Sequence, residues 1–352
     1  MSNFRVAIVG AASLRGKELN DVLGESSFAA ADFALMDDEE AIGKLESVGD
    51  EVTFIQPITA SSFEKADFTF FASDEEITRK RWEAAQSAGS SIIDLSGALE
   101  DEPGVIVRSP WVRQAILEGE DSDEADQTSP DLKTPAIVPA HPAAVVLGLI
   151  LAGLKSLGAI HSAWATILEP ASEYGRAAMD ELHQQTVSLL SFQNLPKLMY
   201  DTQIAFNTVA TTGDDARINL AASEARIRRH YALLSAGRLP EVAIQLVHVP
   251  VFHGHCFSLG VEFDKPVTIE HLQAALSGEH IEVTVTDADA PSNLAAAGQE
   301  TVMLRIRPAA NELGATRRFW LWATSDNLKL AALNAVACAQ ELKRLRPQGS
   351  VQ

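Results

Sequence analysis

Cysteine is nearly absent: Cys256 and Cys338 are the only two in 352 residues. Two thiols cannot staple a disulfide framework, so the fold must rest on an apolar core, and a reducing compartment is expected. Positive charge is also scarce, with 28 Lys and Arg against 48 Asp and Glu, a net charge of −20. Such a field repels phosphate backbones and argues against nucleic-acid partners. It opposes anionic cofactors as well, unless a local site overcomes it. No apolar run approaches the roughly 18–20 residues of a bilayer span. The start, MSNFRVAIVG, lacks the pattern of an export signal. The expectation is a cytoplasmic protein with no membrane partner.

What is present is globular. Hydrophobic residues make up 46% of the chain, which is enough for sizeable cores and rules out wholesale disorder. The length suits two or three domains of about 100–200 residues each.

The first hundred residues alternate between two periods. Phe4–Val9, Phe33–Met36, Phe68–Ala72 and Ile92–Leu95 read as short buried strands. Lys17–Leu23 and Glu76–Ala88 have helical spacing between them. Strand and helix in repetition predict a parallel sheet covered by helices, a doubly wound Rossmann-like domain. Residues 118–135 interrupt this pattern, with six acids packed into Glu118–Asp126, and read as a solvated loop or disordered insert. Beyond it, Ala136–Val138 is a strand candidate and Ala143–Leu157 a buried helix behind Pro142. Ala163–Leu168 is a further strand and Gly175–Leu190 a helix. Val242–Val251 and Cys256–Phe263 are strands joined by a turn at His253–His255. Ile281–Thr286, Val302–Arg307 and Phe319–Ala323 follow, then a helix at Asn327–Arg344. The run of late strands predicts a second, mainly antiparallel sheet. No internal repeat is present.

Gly10-Ala-Ala-Ser13-Leu14-Arg-Gly16 follows a strand and precedes a helix, as a dinucleotide phosphate loop does. Ser13 takes the place of the middle glycine, which normally lets the backbone approach the pyrophosphate. A plain strand–helix turn explains the same residues. Asp37, at the end of the second strand, falls near the usual place of the carboxylate that bonds a ribose 2′-hydroxyl. The four acids Asp37–Glu40 would repel a 2′-phosphate, so NAD is favoured over NADP. A solvated acidic turn is the alternative. His253 and His255 at strand spacing, with His248 nearby, are compatible with zinc. His248 is out of phase with that pair, however, and His253 falls in a turn, so no metal is expected.

These segments resemble the aspartate-semialdehyde dehydrogenase superfamily nearly end to end. The carriers are VAIVGAASLRGKEL, FFASDEE, IIDLSGAL, AIVPAHPAA, QIAFN at 203–207 and VPVFHGH at 249–255. The most specific is SDNLKLAALNAVACAQEL at 325–342, similar to the closing helix of that superfamily but one residue shorter. The resemblance implies a Rossmann domain of residues 1–140 plus 325–352 and an α+β dimerisation domain of residues 141–324. It also implies a homodimer and a small-molecule substrate. Active members use a cysteine nucleophile, a histidine base, NADP, and arginines that hold phosphate and substrate.

Carried over by position, much of that chemistry is replaced. His141, in Val138-Pro-Ala-His-Pro-Ala143, takes the place of the cysteine. Glu100 takes the place of the phosphate arginine, which reverses the charge. His248 takes the place of the substrate arginine, and Asp37–Glu40 that of the 2′-phosphate site. His255 is retained at the base position, either as a working base or as a hydrogen-bonded remnant. Glu224 and Arg226, in SEARI, correspond to substrate-contacting residues, and Asn327 to a residue bordering the nicotinamide. Cys256 neighbours His255, but adjacent strand residues face opposite sides. Cys338 sits mid-helix, and Ser172 has no evident base.

The losses coincide with the catalytic roles, a pattern similar to the Usg-like branch of the superfamily. The expected function is a semialdehyde-dehydrogenase-like protein that does not catalyse the phosphorylating reaction. The alternative is an NAD(P)-dependent oxidoreductase acting on an aldehyde or acyl phosphate in amino-acid biosynthesis, with His255 as acid/base. A third is a regulatory partner of an active paralogue.

Overall fold

A computed structural model describes residues 4–38, 40–49, 51–118, 129–286, 290–309 and 314–346. Most of the expected acidic insert, 119–128, and Glu39 of the acidic turn lie outside the described residues.

The elements in chain order begin with β1 (Arg5–Val9), α1 (Leu14–Glu25), β2 (Asp32–Asp37), β3 (Leu45–Val48), β4 (Glu51–Phe54), β5 (Gln56–Pro57), β6 (Phe68–Phe71) and α2 (Glu75–Ser87). Then come β7 (Ser91–Asp94), β8 (Ile106–Arg108), α3 (Pro110–Leu117), β9 (Ile137–Pro139), α4 (Pro142–Leu154), β10 (Ile160–Glu169), α5 (Gly175–Leu190) and α6 (Leu220–Ser235). The chain continues with β11 (Val242–His248), β12 (His255–Val267), α7 (Ile269–Leu276), β13 (Ile281–Val283), α8 (Asn293–Ala296), β14 (Val302–Pro308), β15 (Thr316–Ser325) and α9 (Asn327–Leu345). It divides into two compact units. One comprises residues 1–111, 119–140 and 331–352, the other residues 112–118 and 141–330.

The first unit is built on a seven-stranded sheet of order β5-β2-β1-β6-β7-β9-β8, and every pairing is parallel. Strand residues alternate between two cores. Ile8, Leu35, Phe70 and Ile93 enter one, where Ala332, Ala335, Val336 and Ala339 of α9 cover them. Ala7, Met36, Phe71 and Ile92 enter the other. A sheet buried on both faces needs this nearly continuous apolar sequence, which is why the short runs were legible. The closing helix therefore does pack on this sheet. The boundary falls at 330/331, six residues later than the sequence suggested. Val112–Glu118 goes with the second unit, where Val112 packs so tightly on Gly148 that a Cβ there would come within 2.8 Å of Val112 Cγ1.

The second unit holds a six-stranded sheet of order β11-β10-β12-β15-β14-β13. Its three central pairings are antiparallel, and the outer two, β10–β11 and β13–β14, are parallel. α4 (PAAVVLGLILAGL) is apolar all round and almost wholly buried, as an interior helix must be. Along β10, Ala163, Ala165 and Ile167 are buried, and Trp164, Thr166 and Leu168 between them are half-buried. The buried stripe ends in a carboxylate, Glu169.

One turn differs from expectation. His255 opens β12 instead of closing a turn, and Gly254 before it has φ +86°. That residue breaks the strand alternation, so His253 and His255 do not share a strand face. Among the described residues, no three His, Cys, Asp or Glu side chains gather as metal ligands would. Among the same residues, no helix is long and apolar enough to cross a membrane.

Candidate functional site

The strand register sets a polar row at one end of the second sheet. Glu169 ends β10 directly beside His248, which ends β11. The antiparallel register pairs Leu168 with Cys256, so His255 stands one step further on, at Glu169. Ser325 of β15 pairs with His255. Each strand thus finishes its apolar stripe on a polar side chain, and the four strand ends bring those side chains together. The chain after β10 then makes a 3-10 turn, Ala171–Tyr174, that carries Ser172 and Glu173 back over the row.

Glu173 is the hub. Its Oε1 lies 3.3 Å from His141 Nε2 and its Oε2 3.7 Å from His255 Nε2. Asn327 Nδ2 donates to the same Oε2 at 3.0 Å. Asn327 Oδ1 in turn accepts from Ser172 Oγ at 3.1 Å and from the Gly254 N–H at 3.2 Å. The Asn327 amide is therefore spent orienting the carboxylate and closing the Gly254 turn. Ser172 donates its proton to that amide, so no base lies on its hydroxyl.

His141 caps α4. Its Nδ1 accepts the Ala143 N–H at 3.2 Å, taking the role a Ser or Asp usually fills, and Pro142 occupies the first helical position. An accepting Nδ1 places the ring proton on Nε2, which faces Glu173. The His141 backbone N–H is also taken, by His230 Nδ1 at 2.8 Å. His255 is fully buried. Burial pushes its pKa down to about 4, against the opposing pull of Glu173, so the ring is neutral at ordinary pH.

A second set of buried groups adjoins Glu169. Tyr174 Oη donates to Glu169 Oε2 at 2.6 Å and contacts Ser223 Oγ at 2.8 Å. Burial and the neighbouring Glu173 charge push the Glu169 carboxyl up to about 8. The Tyr200 ring packs at a tilt on His248 with centroids 4.7 Å apart. Burial lowers His248 to about 4. The loop carrying Tyr200 is clamped by α5. Glu181 accepts the N–H groups of Leu198, Met199 and Tyr200, at 2.7, 2.8 and 3.3 Å. Gln185 accepts from Ile204 and Ala205 and donates to the carbonyls of Pro196 and Thr202.

Glu224 and Arg226 both lie on α6. Glu224 satisfies the Leu246 N–H on the outer edge of β11 at 2.9 Å and pairs with Arg228 one helical turn on. An edge strand leaves N–H groups without a ladder partner, and Glu224 supplies one. Neither cysteine is an activated thiol. Burial pushes the Cys256 thiol up to about 11 and raises Cys338 too. Cys338 lies against the Arg108 carbonyl at 3.7 Å. Sequence reasoning missed Glu169, Glu173, Tyr174 and Tyr200. The available signal was E-P-x-S-E-Y, two acids directly after a buried strand.

In the first unit the glycine turn lies between β1 and β6, where the strand order reverses. Both glycines are required. A Cβ on Gly10 (φ +84°) would come within 2.4 Å of the Ser73 nitrogen, and one on Gly16 within 2.0 Å of the Gly10 carbonyl. Ser13 is a helix cap, not a stand-in for a close-approach glycine. Its Oγ accepts the Gly16 N–H at 2.9 Å and donates to the Ala72 carbonyl at 2.9 Å. Asp37 turns back on the loop, with Oδ2 accepting the Ala12 N–H at 2.7 Å and Oδ1 the Asp38 N–H at 2.9 Å. Leu14 opens α1, so the positive end of that helix is what the turn offers a diphosphate. The crowded glycines and the helix start fit a dinucleotide. Glu100, half-buried, follows a turn held by Asp94, whose carboxylate accepts the Ser96 and Leu99 N–H groups.

A parallel sheet with its glycine turn at the switch point, together with a mixed sheet ending in a His–Glu cluster, defines a two-domain protein of dehydrogenase type. The chain belongs to the semialdehyde dehydrogenase family. That family's NAD-binding domain matches residues 5–120, and its dimerisation domain matches residues 151–330. Relatives include a USG-1 protein homologue of Pseudomonas aeruginosa, 29% identical over 96% of this chain and 97% of its own. The aspartate-semialdehyde dehydrogenase of Rickettsia bellii is 28% identical over 96% of this chain and 97% of its own. Among solved structures, a probable aspartate-semialdehyde dehydrogenase from Pseudomonas aeruginosa superposes with a TM-score of 0.80. It is 27% identical, covering 96% of this chain and 98% of that one. The fold class and the Usg-like likeness inferred from sequence both hold, and the family's cofactor is a nicotinamide dinucleotide.

Proposed function

We propose that this protein holds a nicotinamide dinucleotide and a small molecule but does not run the phosphorylating, cysteine-dependent dehydrogenase reaction. The observation that carries this reading is the state of His141. Its Nδ1 lone pair accepts the Ala143 N–H, and its Nε2 faces Glu173 Oε1 at 3.3 Å. A nucleophile needs an available lone pair aimed at a carbonyl, and neither nitrogen has one. Asp37 and Asp38 at the end of β2 support NAD over NADP.

Two measurements test this. Purified protein is mixed with aspartate semialdehyde, phosphate and NADP or NAD, and nicotinamide absorbance is followed. No turnover is expected. Turnover that His141→Ala abolishes would overturn the reading. Calorimetry with NAD and NADP should show the tighter binding for NAD.

A second reading has its own observation. When bound, the nicotinamide supplies a hydride donor or acceptor. His255, neutral and beside Glu173, is suited to give or take the matching proton. NADH consumption with a panel of aldehydes, lost in His255→Asn, would identify that activity. We also propose a homodimer, supported by the family's dimerisation domain and by the half-exposed tryptophan pair on β10 and β15. Trp164 and Trp320 meet edge-on with centroids 5.8 Å apart. A monomeric mass in sedimentation at micromolar concentration would count against it.

A further inference from the structure

The groups around Glu169 carry hydrogen-bonding capacity that the fold does not use. Glu169, Tyr200 and His248 are each fully buried. Among the described residues, Glu169 Oε1, Tyr200 Oη and both His248 nitrogens have no hydrogen-bond partner. Buried polar groups are paired in the great majority of cases, and each one left unpaired costs about 1–3 kcal/mol. Here they sit side by side. Glu169 and His248 are register partners on adjacent strand ends, and Tyr200 packs at a tilt on the His248 ring. The α5 clamp holds Tyr200 there, so the grouping is built rather than incidental.

The chemistry of the set selects a ligand. The carboxylate oxygen accepts a hydrogen bond. A neutral imidazole accepts at one nitrogen, and a phenol oxygen accepts as well. A primary ammonium has three N–H donors. A carboxylate ligand would instead meet the Glu173 charge beside Glu169. The rings of Tyr200 and His248, with Tyr174 6.4 Å from His248, surround these polar atoms with aromatic carbon.

We propose that Glu169, His248 and Tyr200 form a binding subsite for a primary ammonium group of a small molecule. This deepens the small-molecule reading above and rests on it. It places an amine where the resemblance would put the carboxylate of a substrate. The titratable groups facing Glu169 are Glu173 and Tyr174 from the turn, His248 from β11 and Tyr200 from its loop, and Glu181 of α5 faces Tyr200. Because Glu169 is neutral near pH 7, an ammonium that pairs with its carboxylate releases one proton to the buffer, and the charge balances.

The test uses the full chain without dinucleotide, so its failure leaves the cofactor question untouched. Methylammonium chloride is titrated in phosphate buffer and followed by saturation-transfer NMR. Tetramethylammonium chloride, potassium chloride and sodium acetate serve as competitors. The expected result is saturable binding that the three competitors do not displace. Affinity should strengthen about tenfold from pH 6 to pH 7, the slope of one released proton. Glu169→Gln should weaken binding at least tenfold and flatten the slope. Tyr200→Phe, which removes only the phenol oxygen, should weaken it and remains informative if Glu169→Gln does not fold. The proposal is overturned by an absence of saturable binding, by equal binding of potassium, or by unchanged affinity in a folded variant.

Discussion

His141 Nε2 lies 3.3 Å from Glu173 Oε1, and the two side chains are both buried. A buried carboxylate is stable only when paired and hydrogen-bonded. Glu173 meets that condition through His141, His255 and Asn327. The His141 imidazole is therefore part of the structure that holds an acid in place. The same ring caps α4, so one side chain serves a helix terminus and a buried charge at once.

That double role predicts the cost of removing it. His141→Ala should lose the helix cap, worth about 1 kcal/mol, and leave Glu173 short of a partner. A combined loss of roughly 2–4 kcal/mol is expected. His141→Asn should recover the cap but not the contact with Glu173, and should fall about midway. Urea denaturation of the three proteins separates the contributions. Equal stability of the Asn and Ala variants would show that the cap contributes nothing.

Stability should also depend on pH in two opposed ways. Between 4.5 and about 8 the folded chain keeps a proton on Glu169 that the unfolded chain has lost. Its contribution is full below 4.5 and is lost as pH rises through 8. His248 and His255 are lowered from 6.5 to about 4. The folded chain binds fewer protons there, so their contribution is full above 6.5 and is lost as pH falls through 4. Above 6.5 only the Glu169 slope remains. Melting temperature should fall from pH 6.5 to 8, by on the order of 2 kcal/mol in stability terms. Glu169→Gln should remove that fall and leave the acid limb in place. A parallel fall in the variant would assign the slope to other groups.

The strands of the first sheet were legible because burial on both faces leaves short, uninterrupted apolar runs such as FTFFA. The glycine turn was legible from its spacing, since Gly10 and Gly16 are where a Cβ does not fit. The role of Ser13 was not legible. A residue in a glycine's place and a helix cap look alike in sequence, and only the bonds to Gly16 and Ala72 tell them apart. His141 and His255 were found through motif position. Their link was hidden, because Glu173 reaches both from a turn 32 residues beyond one and 82 before the other. The structural task of Glu224 was hidden for a related reason: a conspicuous acid in a recognisable motif also serves an edge strand. α6, which carries it, is not legible as a helix, since LAASEARIRRHYALLS has charges scattered among its apolar positions.

The glycine turn gives a sharp stability test. Gly10→Ala forces a Cβ against Ser73 backbone at a positive φ, and Gly16→Ala forces one against the Gly10 carbonyl. In each case the obstacle is backbone and cannot swing aside. Each variant should lose about 2 kcal/mol or more. Gly43→Ala, also at positive φ but with nothing within 4 Å, should lose only the conformational part, about 1 kcal/mol. Thermal melts of the three compare crowding with φ strain directly. Equal losses would mean that the loop relaxes around the added methyl.

The QIAFN segment makes the last prediction, because its place in the fold explains why a loop can be specific. Ile204 and Ala205 give their N–H groups to Gln185 Oε1, at 2.8 and 3.2 Å. Glu181, one turn earlier on α5, takes three more from Leu198 to Tyr200. A loop of this length has few ladder bonds of its own, so two side chains supply its backbone acceptors. Glu181→Ala strands three N–H groups at once, and Gln185→Ala strands two along with two carbonyls. Each should lose roughly 2–3 kcal/mol. More specifically, amide exchange should accelerate at residues 197–205 by more than tenfold while β10 and β12 stay protected. Tyr200 would then lose its packing on His248, and methylammonium affinity should fall with the loop although neither clamp residue belongs to the proposed subsite. Faster exchange with unchanged affinity would separate the clamp from the subsite.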